Sequence, residues 1–148
     1  MAFHFSLLAV LRFRQGVEHQ QELLLQKAHQ DAALARHGIE LADACLAQMG
    51  ESELQYLQSG LSGAEMHFQE LRRAVLKRYR QQLESDLAER EKALAQRSRA
   101  FLEARQQREV VDTLRRRQLL AYHAEEARRE QRQLDDLFLL RRAIARRS

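Results

Sequence analysis

The middle of the chain, residues 49–65, has the sequence Met-Gly-Glu-Ser-Glu-Leu-Gln-Tyr-Leu-Gln-Ser-Gly-Leu-Ser-Gly-Ala-Glu. Three of the chain's five glycines lie in it, at Gly50, Gly60 and Gly63, and the 148 residues contain no proline. Glycine and proline are the strongest local interruptions of regular structure. Because two long segments without such a cluster flank this stretch, the sequence predicts two helices joined by one turn.

The same stretch predicts where the two helices end and begin. Gly50 fits the glycine that commonly follows the last residue of a helix. Ser62, with Glu65 three residues later, is a capping box, which marks a helix start. We therefore expect a first helix over about 5–49, a turn region over 50–63 and a second helix over about 64–146, all within one elongated helical hairpin spanning 1–148.

The apolar residues of the first helix indicate a coiled coil. Their spacing alternates between three and four residues, which is the pattern of a coiled-coil seam. Several are alanines, so we expect the helix axes to approach closely, with Cys45 as a small buried residue near the seam. The predicted seam residues are Leu25, Ala28, Ala32, Ala35, Ile39, Ala42, Leu46 and Met49.

Composition supports an all-α protein in which two long helices form an antiparallel coiled-coil hairpin. Charged residues make up 31% of the chain and aromatic residues 6%, and Ala, Leu, Glu, Gln and Arg dominate. These are good helix formers, and their excess is typical of long or coiled helices. No stretch approaches the roughly 18 apolar residues of a membrane span. With one cysteine and no visible signal peptide, a cytoplasmic location is expected.

The second helix is predicted to be much longer than the first. Folded back about Gly60, the first helix can cover the second only to about residue 105–120. The uncovered end contains large apolar residues among paired arginines, and exposed apolar patches usually mark interaction sites. These residues are Leu134, Leu137, Phe138, Leu139, Leu140 and Ile144.

The sequence does not predict an enzyme, a metal site or a cofactor. The glycines at Gly60 and Gly63 lack the lysine and the strand of a phosphate-binding loop. No two of the six histidines are four residues apart, and no cysteine cluster accompanies them. The acidic residues alternate with arginines at helical spacing, as on a solvated helix surface.

The basic charge of the chain suggests a nucleic-acid partner as an alternative. From Arg108 to Ser148 there are eleven arginines and seven acidic residues. Such a helix can follow phosphates, but acidic residues are interspersed and aromatic stacking platforms are lacking. We expect no nucleic-acid partner.

Three segments resemble the flagellar type III export protein FliJ family, and together they extend over nearly the whole chain. Residues 3–14 are Phe-His-Phe-Ser-Leu-Leu-Ala-Val-Leu-Arg-Phe-Arg, similar to the opening pattern of the family. Residues 67–75 are His-Phe-Gln-Glu-Leu-Arg-Arg-Ala-Val, similar to its segment after the turn. Residues 125–136 are Glu-Glu-Ala-Arg-Arg-Glu-Gln-Arg-Gln-Leu-Asp-Asp, similar to its C-terminal signature. Gly16, Gly38 and the apolar run 137–140 depart from the family pattern.

The resemblance implies a stalk-like coiled coil that binds and stimulates the ring of the flagellar export ATPase (FliI), with its regulator (FliH) as a further partner. It also implies contact with the cytoplasmic domain of the export gate (FlhA), escort of export chaperones, and a peripheral position at the inner membrane at the flagellar base. Contact with the export gate would fall on Phe68, Leu71 and Val75. Contact with the ATPase ring would fall on Leu8, Leu11, Arg12, Arg14, Arg128, Arg129, Gln131, Arg132, Asp135 and Asp136.

Two alternatives share this architecture. One is the equivalent stalk protein of a virulence-type III secretion injectisome, and the other is a generic coiled-coil adaptor. The segment 125–136 favours the flagellar branch.

Overall fold

The computed structural model describes residues 2–60 and 62–148, and these contain two α-helices and no strand. Helix α1 runs over Leu8–Ser59 and helix α2 over Gly63–Arg147. The predicted all-α class with two long helices is confirmed. Both helices extend so far because no proline removes a backbone donor anywhere in the chain.

The first helix does not end at Gly50, so that prediction is wrong. Helix α1 continues through Gly50 to Ser59 and includes the short segment expected to lie in the turn. A helical glycine costs only about 1 kcal/mol relative to alanine, and Glu53 beyond it forms an ion pair with Arg73 of α2. The contact with α2 helps to offset the cost of the glycine.

Gly60 is the glycine that ends α1. Its φ is +82°, in the left-handed region that glycine adopts without steric cost. The hydroxyl of Ser59 donates to the carbonyl oxygen of Tyr56 at 3.1 Å, which satisfies one of the last acceptors of the helix. Leu61, which belongs to the predicted turn, lies outside the described residues.

The predicted capping box at the start of α2 is confirmed. The backbone N–H of Glu65 donates to the Ser62 hydroxyl at 3.3 Å, and the Ser62 N–H donates to a Glu65 carboxylate oxygen at 3.4 Å. These reciprocal bonds satisfy donors that the first turn of a helix leaves unpaired.

The chain divides into two compact units. We call residues 19–102 the turn unit, and the segments 1–18 and 103–148 together the terminal unit. The expectation of a single domain over 1–148 stays a prediction.

In the turn unit the two helices pair in antiparallel orientation. Ion pairs link α1 and α2 at three levels. From one pair to the next, the residue number of the α1 partner rises while that of the α2 partner falls, as antiparallel pairing requires. The pairs are Arg36 with Glu91 at 3.3 Å, Asp43 with Arg80, and Glu53 with Arg73.

Small residues form the tightest part of the seam in this unit. Ala32, Ala35 and Ala42 are buried, as their spacing predicts. At Gly38 an added Cβ would lie 3.6 Å from a methyl carbon of Leu83, which is ordinary van der Waals contact. The larger predicted seam residues, such as Leu25 and Ile39, are half-buried. Small side chains therefore set the distance between the helices, and larger ones cover the edges of the seam.

The terminal unit has the same antiparallel pairing. Phe5 and Leu11 are buried on the α1 side and Ala104 on the α2 side. The Arg14 guanidinium donates to the Gln107 side-chain oxygen at 2.5 Å. Within the part of the chain that the structure describes, no helix is long and apolar enough to cross a membrane.

Two glycine substitutions should have opposite effects on stability. Gly60→Ala should lower the free energy of unfolding by about 1–2 kcal/mol, because a Cβ is disfavoured at positive φ. Gly50→Ala should raise it by up to about 1 kcal/mol, because a Cβ at Gly50 meets nothing within 4 Å. Urea unfolding followed by circular dichroism measures both. Equal effects of the same sign would contradict this assignment of the turn.

Candidate functional site

The terminal unit presents a long helical surface at the end of α2. Every residue of 127–148 is exposed, and we call residues 127–147 the distal segment. Its large apolar side chains are exposed by more than half, including Phe138 at 64% and Ile144 at 68%. The prediction that the large apolar side chains at this end of α2 are exposed is therefore confirmed.

Aromatic and hydrogen-bonded contacts lie just before the distal segment. The ring of Phe3 lies 5.5 Å from that of Tyr122, measured between centroids. A hydrogen bond between the side chains of Tyr122 and Glu126 raises the pKa of Tyr122 and lowers that of Glu126. His123 adds an ion-pair contact to Glu126 at 3.6 Å when it is protonated. These contacts mark where α2 passes from half-buried to exposed.

A charge cluster around Arg108 connects α1 to α2 in the terminal unit. The Arg108 guanidinium donates to both carboxylate oxygens of Glu18, at 2.5 and 3.4 Å, and lies 3.7 Å from the carboxylate of Asp112. Asp112 also pairs with Arg116 at 2.9 Å. The bond to Glu18 is the main cause of the raised pKa of Arg108. A two-point guanidinium contact fixes geometry as well as charge, so this cluster holds the two helices in register.

In the turn unit, an open groove lies between α1 and α2. We call it the turn groove; its volume is about 830 Å³. Its α2 side includes Phe68, Leu71 and Val75, which are 59%, 52% and 68% exposed. The guanidinium of Arg72 lies 5.9 Å from the centroid of the Phe68 ring, within range of a cation–π contact. The main residues of the α1 side are Cys45, Met49 and Tyr56, and Tyr79 extends the α2 side.

Cys45 lies on this groove, and the prediction that it is buried is wrong. Its side chain is exposed, whereas Ala42, three residues earlier, is buried. The alternating pattern of the first helix is compatible with several rotations about the helix axis. The structure adopts one that places Cys45 at the rim of the seam.

The comparisons with known proteins give one positive finding. A family model described as the flagellar FliJ protein matches residues 3–148. The chain belongs to the flagellar FliJ protein family. It is therefore a flagellar export-related protein, and the family is a non-enzymatic component of the export apparatus. Neither the search of curated proteins nor the search of solved structures gave a match.

In this FliJ family member, the structure brings the three predicted gate residues together. Phe68, Leu71 and Val75 lie on one stripe of α2 and line the turn groove. The sequence did not associate Met49 and Tyr56 with them, because Tyr56 was expected in a separate turn region. Tyr79 lies four residues after Val75 and continues the spacing of Phe68, Leu71 and Val75. The sequence therefore contained a signal for Tyr79 as a further residue of this stripe.

The residues predicted to contact the ATPase lie at two different levels of the terminal unit. Arg14 bonds to Gln107, which precedes Arg128 by about 30 Å of helix. Leu11 is only 2% exposed and packs inside the unit, Leu8 and Arg14 are half-buried, and Arg12 is exposed. The predicted α2 group lies in the exposed distal segment: Arg128, Arg129, Gln131, Arg132, Asp135 and Asp136.

The surroundings of the histidines bear on whether they could bind a metal ion. Among the residues that the structure describes, no group of three or more His, Cys, Asp and Glu side chains is placed to hold an ion. His19, His37 and His123 each lie within 3.8 Å of a glutamate three residues later. These are local contacts on the helix surface.

Proposed function

We propose that this chain is a stalk-like coiled coil of the flagellar export apparatus that binds and stimulates the export ATPase (FliI). Residues 127–136, the first part of the distal segment, supply the main contact with the ATPase ring, helped by Arg12 and neighbouring residues of α1. The turn groove engages the cytoplasmic domain of the export gate (FlhA). The chain also escorts export chaperones and acts beside the ATPase regulator (FliH), at the inner membrane of the flagellar base.

One observation supports the ATPase contact most directly. Residues 127–136 form an exposed part of helix α2 with charges of both signs. Because this part is already folded and its charged side chains are exposed, a partner can bind it without first ordering the chain. The contacts that the structure describes for the polar groups of this part are local ones. Arg128 and Arg129 lie 3.9 and 3.7 Å from Glu125, and the Gln131 amide donates to Asp135 at 3.0 Å.

These local contacts are weak enough to be exchanged. Exposed ion pairs contribute about 0–1 kcal/mol each, so little stability is lost when an arginine turns from Glu125 to a carboxylate of a partner. A stalk inside a ring must change its neighbours without binding any of them too tightly. Residues 127–136 satisfy this requirement through many weakly paired charged groups.

The turn groove supports the gate contact by a different kind of chemistry. Phe68, Leu71, Val75 and Tyr79 expose apolar surface on one stripe, with Arg72 beside Phe68. Aromatic residues and arginine are enriched among the residues that dominate binding energy at protein interfaces. We infer an apolar, stable contact here, in contrast to the exchangeable charged contact of the distal segment.

Reversing three charges of the distal segment should weaken stimulation of the ATPase. In the variant Arg128→Glu/Arg129→Glu/Arg132→Glu, attraction to ring carboxylates becomes repulsion. The concentration of the chain that gives half-maximal stimulation of ATP hydrolysis should rise by about threefold to a hundredfold, at roughly 0.2–1 kcal/mol for each exposed pair lost. Steady-state hydrolysis by the export ATPase measures this.

The matched control is Arg78→Glu/Arg97→Glu/Arg99→Glu, which changes the same charge at exposed positions of α2 in the turn unit. It should stimulate like the unaltered chain. Unchanged stimulation by the distal variant, with helix content preserved, would refute the ATPase contact.

Truncating the α2 side of the turn groove should greatly weaken gate binding. Phe68→Ala/Leu71→Ala/Val75→Ala should weaken affinity for the cytoplasmic domain of FlhA by about a hundredfold or more, since interface anchors contribute over about 1 kcal/mol each. Calorimetric titration measures this. Leu34→Ala/Leu41→Ala, which truncates exposed leucines of α1, is the control. Equal affinity of both variants would exclude the groove as the gate contact.

A further inference from the structure

The distal segment changes its chemical character between Asp136 and Leu137. Residues 127–136 contain three arginines and three acidic residues, which gives a net charge of 0, and Leu134 is their one large apolar residue. Residues 137–148 contain four arginines and no acidic residue, which gives +4. They also include five large apolar residues: Leu137, Phe138, Leu139, Leu140 and Ile144.

The helical structure of residues 137–147 arranges these groups around the axis. Each residue advances the helix by about 100°, so Leu137, Leu140 and Ile144 lie within a sector about 60° wide. Arg141 and Arg147 lie on its two sides, about 50–70° from its centre by the same geometry. Arg142 and Arg146 lie on the opposite face. All these side chains belong to the exposed part of α2.

We propose that residues 137–147 dock on an anionic lipid surface, with Leu137, Leu140 and Ile144 entering the bilayer interface. The flanking Arg141 and Arg147 bind lipid phosphates, because long arginine side chains extend from an apolar face to polar headgroups. The segment lies along the surface. It is only about eleven residues long, which is the length of an interfacial segment and too short to span a membrane. This contact is independent of the ATPase contact at 127–136.

The charge and the apolar groups together select a lipid surface. Four arginines without an acidic neighbour complement a negatively charged surface. A nucleic-acid backbone would match that charge, but it would leave the leucine stripe exposed to water. The acidic pair Asp135 and Asp136 is repelled by anionic lipid and sets the boundary of the contact.

The full chain should float with vesicles that contain equal parts of phosphatidylglycerol and phosphatidylcholine, and not with phosphatidylcholine vesicles. Replacing the two flanking arginines by glutamine, in Arg141→Gln/Arg147→Gln, should lower affinity about 25-fold, at roughly fivefold for each arginine near an anionic surface. The variant Leu137→Gln/Leu140→Gln/Ile144→Gln should not float, although it keeps all four arginines. Because salt screens the attraction, the affinity of the unaltered chain should fall steeply with ionic strength.

The matched control replaces three exposed apolar residues elsewhere, Leu34→Gln/Leu41→Gln/Val110→Gln, and should float like the unaltered chain. Absence of flotation with anionic vesicles at low salt would overturn the proposal. Equal flotation with both vesicle types would also overturn it. The same holds if the chain binds single-stranded RNA as tightly as it binds the anionic vesicles and the leucine variant binds that RNA equally well. Stimulation of the ATPase, assayed without lipid, should be unchanged in the leucine variant, which separates this proposal from the proposed function.

Discussion

The close packing of small residues along the seam is the constraint on which the rest of the structure depends. Among the residues that the structure describes, few side chains are buried, and they include Ala32, Ala35 and Ala42 in one unit and Ala104 in the other. Alanine buries little apolar area, so pairing needs further support from contacts at the edges of the seam. The cross-helix bonds of Arg80 with Asp43 and of Arg108 with Glu18 provide that support and fix the register. A thin seam also leaves the outer faces of both helices available to partners.

Local signals in the sequence predicted the helices well, and non-local packing explains what they missed. The start of α2 was predictable because Ser62 and Glu65 satisfy each other's backbone donors without help from the rest of the chain. The end of α1 was not predictable in the same way. Gly50 is a poor helix former, but the residues after it continue the helix, and Glu53 is held by Arg73 from the other helix.

The two candidate sites differ in how much of each could be predicted from the sequence. Resemblance to the family indicated Phe68, Leu71 and Val75, and helical spacing placed them on one face. The α1 side of the groove, at Met49 and Tyr56, required the register between the helices, which only the paired structure provides. The rotation of α1 that exposes Cys45 depends on the same register. For the distal segment, the unequal helix lengths predicted exposed apolar residues from the sequence alone.

The central claim is that α2 residues after Glu126 remain a folded but unoccupied surface until a partner binds. Hydrogen–deuterium exchange of the chain, alone and with saturating export ATPase, tests it most directly. Alone, amides of residues 127–148 should exchange much faster than those of the seam around Ala35 and Ala42, because few packing contacts oppose local opening. With the ATPase, residues 127–136 should become protected. Slow exchange of 127–148 in the chain alone, or no added protection of 127–136 in the complex, would contradict the claim.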